Sequence, residues 1–495
     1  MAAHHACAFA LLGPFEPWMD VTNSLRLPGD IGGALDITEE YRWNVPVVTY
    51  GFDQTFLDYF GSNGLAAVEQ AIQILNDLPP ASSLVLTNFP FAPLSYNYAA
   101  QAQGLHDLKS ATLTALVEQL GLAEPTRHVF DLRRWADFFL WASEESTWWP
   151  DLFLYFILER NFDPETFETS HYVNGTLFSG YIEAFPPVNP YPPLAGIQEF
   201  SVDPLANTFT AVRDNPIFNA GEFASGLSRD DAGGLRYLLR SNNLNFEMLL
   251  DDVRGAGTNA GSVVNTALRP GVQKITFVQH PFDSLLGRFL PFTNQYTDTY
   301  ISNGFVLHQQ LERVATQPDF LFSAADTGEG EFYAPLYTRS GTSNWCNNAA
   351  LNGDPTKAGP GVIQPPVRIT FHKEGHRKYS SDGYENAETA YEYGEPWGSF
   401  DNSTNPPIAH PVSSPPDAEL MTVRLRLFRL PYSSFTNGVS YTWQTPVPYG
   451  SEAVLQSATN LTSWVTLATV TNRGGVIEWQ HNWAKPQRFF RVVPQ

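Results

Sequence analysis

A chain of 495 residues is long enough for about two to four domains. Hydrophobic residues make up 43% and charged residues 16%, so a large apolar core is within reach. The 29 Lys and Arg stand against 51 Asp and Glu, a formal net charge of -22, which argues against nucleic acid or anionic lipid as a partner.

Residues 1–35 read as an extended N-terminal segment, rich in Pro, Gly and Asp after residue 13. Residues 6–13 are apolar, and Ala6-Cys7-Ala8 has the small-x-small form of a cleavage site, so the start reads as an export-signal remnant. Cys7 and Cys346 are too few for a disulfide framework, and whether they pair is open. "VPVVTYGF" predicts a strand over 45–52. Leu65, Val68, Ile72 and Leu75 then repeat at helical spacing until Pro79-Pro80 stops the helix. A second helix is expected over 101–122 and more helix over the aromatic-rich stretch 129–160. Loops and short strands are expected over 161–220. In "LSRDDAGGLRYLLR" Ser228 and Asp231 have capping-box spacing, with Asp in place of Glu. From 270 onward the texture changes to strands and turns, and residues 419–495 show short alternating strands. No apolar run reaches ~18 residues, so no transmembrane segment is expected.

The stretch "SATLTALVEQLGLAEP", 110–125, has the rhythm of a zinc-protease helix. In the pattern H-E-x-x-H-x-x-G-x-x-H, a helix supplies two His and a Glu, and a Gly ends it before a third His. Here Gly121 is in place, but the ligand positions hold Thr114, Glu118 and Glu124, and the general-base position holds Ala115. "VVTYGFDQTF" with the helix after it resembles the first strand and helix of matrixins, a branch of the metzincins. "LSRDDAGGLRYLL" resembles their closing helix. The resemblance covers roughly 41–240, with a long insertion. It implies a matrixin-like α/β core at 36–245 with an insertion at about 130–225. The C-terminal "LQSATNLTSWVTLATVT" and "RFFRVVP" are similar to β modules of exported, uncharacterised proteins of Verrucomicrobia and Planctomycetes. That likeness implies an extracellular or cell-surface setting.

The departures point away from catalysis. A catalytic zinc needs imidazole, thiolate or carboxylate ligands and a base to activate its water. Thr114 supplies no normal ligand and Ala115 no base. A weaker metal candidate is His372, Glu374 and His376, which alternate onto one face of a strand. Trp135, Trp141, Trp148 and Trp149 suggest either a glycan-binding face or a buried cluster. No cofactor is predicted, with calcium left open.

The expected fold is α+β and multi-domain: the matrixin-like core, a β-rich, loop-rich region over 246–418, and a C-terminal β-sandwich over 419–495. The expected function is that of an exported, non-catalytic structural or surface protein acting through protein–protein contacts, including self-association into a filament or layer on a pseudo-metalloprotease scaffold. The alternatives are a divergent zinc metallopeptidase and a glycan-binding surface protein.

Overall fold

The computed structural model describes residues 7–135 with short gaps before residue 39, then 154–185, 194–214, and 219–325 except 258 and 259. Further on it describes 337–340, 366–373, 377–380, 390–393, 396–403, 406–410 and six strands with their short flanks between 420 and 494.

The main core is built on a five-stranded sheet in the order Thr276–Gln279, Val47–Phe52, Phe320–Ala325, Val367–His372 and Tyr337–Ser340. The first four strands are parallel and the last is antiparallel. Parallel strands covered on both faces read as apolar runs, which is how "VVTYGF" and "FLFSAA" read. Helix α1, Gln54–Asn76, lies against this sheet. Asp53 caps it by accepting a hydrogen bond from the Phe56 N–H at 3.1 Å. Gly61 kinks the helix at φ 58°, ψ −159°, a backbone conformation that glycine tolerates best. Phe56 meets Phe52 and Phe371 with ring centroids 5.0 and 6.1 Å apart, so an aromatic layer joins helix to sheet.

Two of the other helices continue this core. After the short helix α2, Tyr98–Ala102, come α3, Leu108–Gln119, and α4, Arg229–Leu239. Strand Phe9–Gly13 is buried along its whole length and pairs with Gly33–Leu35, Leu122–Ala123 and Asn161–Phe162. The second half of the apolar stretch read as an export-signal remnant is therefore a core strand.

A second sheet is antiparallel, in the order Leu244–Met248, Thr266–Pro270, Phe292–Ser302, Phe305–Ala315 and Val253–Gly255. Its long hairpin turns at Asn303 and Gly304, both at positive φ, as a tight two-residue turn requires. Buried charges tie this sheet to the core. Arg42, 1% exposed, pairs with Glu247 and donates to the carbonyls of Asn243 and Arg269 at 2.8 and 2.9 Å. Arg313 joins Asp252 to Asp319, and Asp319 in turn accepts from the Thr49 N–H at 2.7 Å.

Toward the C-terminus, Leu420–Phe428 pairs with Val439–Pro446 and Val476–Asn482, while Glu452–Ala458 pairs with Val465–Thr471 and Phe489–Pro494. The molecule is thus multi-domain and strand-rich, with several sheets and few helices among the described residues.

One expectation needs correcting. The stretch 129–160 contains antiparallel strands at Asp131–Trp135 and Leu154–Leu158 rather than a helix at its ends. Bulky and β-branched side chains pair well across strands, and this run has no helical stripe to oppose that. The central sheet draws on both sides of residue 245: Val47–Phe52 lies on one side in sequence and its partners on the other, and both stretches contribute to one core.

Candidate functional site

Helix α3 begins at Asp107, whose carboxylate accepts from the Ser110 N–H at 2.9 Å. Burial pushes this carboxyl up to about 6. The helix is buried on nearly all sides, with Leu113, Ala115, Leu116 and Val117 each at 0% exposure. Gly121 ends it at φ 116°, where a Cβ would stand 2.3 Å from the Tyr41 carbonyl oxygen. Only glycine fits there.

The four positions aligned with the zinc motif have concrete fates. Ala115 is packed in the core and offers no chemistry. The Thr114 hydroxyl donates to the Val212 carbonyl. Glu118 and Glu124 converge on the next residue, Arg213: its Nη2 lies 2.6 Å from Glu118 Oε1 and its Nη1 lies 3.1 Å from Glu124 Oε1. Its Nε donates to the Leu122 carbonyl at 3.1 Å, so all three nitrogens of the fork are used. A guanidinium thus holds the two carboxylates that the motif alignment assigns to a metal.

Arg213 is itself held by α4. The Asp231 carboxylate accepts from the backbone N–H of Val212 and Arg213 at 2.9 and 3.2 Å. The same carboxylate accepts from the Ser228 N–H at 2.9 Å, while Ser228 caps α4, so the expected capping box is present. One acidic side chain therefore caps the helix and sets the loop that presents the arginine.

Beside this cluster lies a half-open cavity of about 250 Å3. It is walled by the segment after α3, the hairpin Thr176–Phe185 with Leu194–Ser201, and the loop 208–214. Asp214 accepts from the N–H and the hydroxyl of Thr126, both at 2.6 Å. Burial pushes its carboxyl up to about 8, and the nearby Asp231 and Glu124 reinforce the shift. Glu199 accepts from the Phe130 N–H at 2.9 Å. It is likewise raised to about 8 by burial, with Asp131 and Asp214 adding to the effect.

His372 ends its strand and is buried, with its carbonyl accepting from the Trp397 Nε1–H at 2.7 Å. Glu374 and His376 lie outside the described residues, as do Cys346, Trp141, Trp148 and Trp149. Trp135 closes the strand Asp131–Trp135. Cys7 is buried, and burial followed by the Asp230 carboxyl pushes its thiol up, so it is a poor nucleophile. A Thr-His-Asp set also exists: the Thr49 hydroxyl lies 3.1 Å from His280 Nδ1 and 3.1 Å from Asp319. Thr49 is 1% exposed, so this set is enclosed in the core. Among the described residues, no group of three or more His, Cys, Asp or Glu side chains is placed to hold a metal ion.

Sequence reasoning named Glu118 and Glu124 but missed Arg213, Glu199 and Asp214. One signal pointed to a cation partner for Glu118, though not to which residue. Glu118 lies among Leu113, Leu116, Val117 and Leu120, a carboxylate buried there demands a cation partner, and the chain has 29 Lys and Arg to supply it. No protein-family profile, curated protein or solved structure matches this chain.

Proposed function

We propose that this chain is an exported, non-catalytic structural or surface protein, built on a protease-like scaffold and acting through protein–protein contacts. The observation that carries this reading is Arg213, whose guanidinium joins Glu118 to Glu124 in the place of a catalytic cation. With Ala115 at the base position, the helix keeps a packing role and no hydrolytic one. The long hairpin supports the contact role: Phe305, Val306 and Leu307, at its turn, are 69%, 61% and 40% exposed. The C-terminal likeness to exported β modules supports the extracellular setting.

Mass photometry of the full chain over a wide concentration range, with and without calcium, tests the reading. Discrete oligomers that disappear in the double variant Phe305→Asp, Val306→Asp are expected. Monomers at every concentration would overturn the self-association. About one tightly held zinc per chain in elemental analysis, together with peptidase activity, would overturn the non-catalytic assignment.

A further inference from the structure

The cavity beside Arg213 has an imbalance that its own residues leave unresolved. Glu124 is shared between two cations, since Arg127 Nη1 approaches it at 3.5 Å while Arg213 holds its other oxygen. Arg127 is otherwise committed to Asp30, with contacts of 3.1 and 2.8 Å. Asp131 is engaged by His128 at 3.0 Å, and Asp231 by the backbone N–H groups of the Arg213 loop. Glu199 and Asp214 are different. Their hydrogen bonds come from Phe130 and from Thr126, and among the described residues neither forms an ion pair. Glu124, Arg127, Thr126 and Thr208 also line the cavity, with Arg127 turned to Asp30 and Glu124, and the apolar part of the wall is Phe178, which is buried, with Phe200 and Phe209, 47% and 54% exposed.

We propose that this cavity binds an alkylammonium group, with the cation between Glu199 and Asp214 and its apolar stem along Phe178, Phe200 and Phe209. Each part of the chemistry has a match in the lining. A carboxylate forms charge-assisted hydrogen bonds with an ammonium. Aromatic faces attract a cation and shield a methylene stem. A neutral polyol would satisfy the hydrogen bonds but would leave both carboxyls protonated. The ammonium can come from a free amine or from a lysine side chain of another polypeptide. The site stands independently of whether the chain self-associates.

A proton linkage follows. In the empty site both carboxyls hold protons near neutrality, raised by burial and by the acids around them: Asp131 and Asp214 for Glu199, Asp231 and Glu124 for Asp214, with Arg127 opposing at Glu199. An ammonium favours their ionised forms, so its binding releases protons and tightens as pH rises. An alkylammonium stays charged up to about pH 10, as lysine does, so the effect belongs to the site.

The test is isothermal titration calorimetry on the full chain with n-butylammonium chloride, n-butanol and Nα-acetyl-lysine methylamide, at pH 6.5 and 8.5. Butylammonium is expected to bind roughly tenfold more tightly at pH 8.5, with proton release that scales with buffer ionisation enthalpy. Butanol is expected not to bind. Glu199→Gln, which keeps an oxygen for the Phe130 N–H, is expected to lose about tenfold in affinity and most of the pH dependence while retaining the parent melting temperature at pH 6.5. Lysine methylamide binding as tightly as butylammonium would identify a protein side chain as the natural occupant, and butylammonium binding alone would identify a free amine. Equal binding of butanol and butylammonium, no binding of butylammonium at either pH, or undiminished binding by a folded Glu199→Gln variant would overturn the proposal.

Discussion

Replacing Arg213 with methionine removes the guanidinium and keeps an apolar stem of similar length. Two carboxylates then lose their shared cation, and one of them, Glu118, is 1% exposed. Breaking a buried pair from one side costs about 3–5 kcal/mol, because the remaining charge is stranded away from water. Most of the loss should fall on α3 and the loop 212–214, since the Leu122 carbonyl loses its Nε donor in the same step. A molecule of several domains does not unfold in one step, so a global midpoint is a poor reporter. Hydrogen exchange of peptides covering 108–122 measures the local opening directly. Protection there should fall by roughly two to three powers of ten in Arg213→Met. Adding Glu118→Gln should restore about one power of ten by removing the stranded charge. A fall of less than threefold, or a double variant no better than the single, would refute the idea that Arg213 is the internal cation of this cluster.

Gly121→Ala should destabilise the same region by more than about 2 kcal/mol, because the position needs positive φ and has no room for a Cβ; parent-like hydrogen exchange over 108–122 would contradict this. Ser228→Ala removes the cap of α4 and should cost about 1 kcal/mol, read as faster exchange of the first α4 amides. Stability should also depend on pH with a definite sign. Asp214 and Glu199 have folded values near 8, above those of the unfolded chain, so the native state holds protons that the unfolded chain has released. Their favourable contribution is present at acid pH and is lost as pH rises through about 8. His410, lowered to about 4 by burial, acts in the opposite sense but only up to about 6.5. Between pH 6.5 and 8 the carboxyls act without it, and Asp214 alone should contribute a loss on the order of 1–2 kcal/mol. Urea titrations at these two pH values should show the decline in the parent chain and a shallower one in Asp214→Asn; parallel curves would refute the assignment.

The legible parts of the sequence were those written in local signals. The stop at Gly121 and the capping box at Ser228 depend on residues within a few positions of each other, and both are present. Strand Val47–Phe52 was legible from its continuous apolar run. What lay hidden is long-range. No local pattern says that this strand will pair with Thr276–Gln279 and Phe320–Ala325, more than 200 residues away. Around 131–158, aromatic density without a clear period let a helix be read where strands form. Arg213 was invisible for a related reason. It sits in a loop with no periodicity, 95 residues from Glu118 along the chain, and the grip of Asp231 on that loop's N–H groups is what sets it beside α3. Asn174 makes the same point: its Asn-Gly-Thr sequence reads as a surface turn, yet the side chain is 5% exposed and accepts from the Asp230 N–H at 3.1 Å.

The order of strands in the central sheet has a consequence for how the chain is made. Strand Val47–Phe52 leaves the ribosome more than 200 residues ahead of its neighbours at 276–279 and 320–325, and its partner's other neighbour, Val367–His372, comes later still. At about 5–20 residues per second, the first strand waits on the order of tens of seconds with both edges unpaired. During that interval "VVTYGF" is an apolar β-former with open hydrogen bonds, the kind of segment that a holding chaperone must cover. Truncations ending before residue 367 should therefore aggregate rather than fold. The nascent strand depends on protection until its partners emerge, and faster elongation should raise the soluble yield.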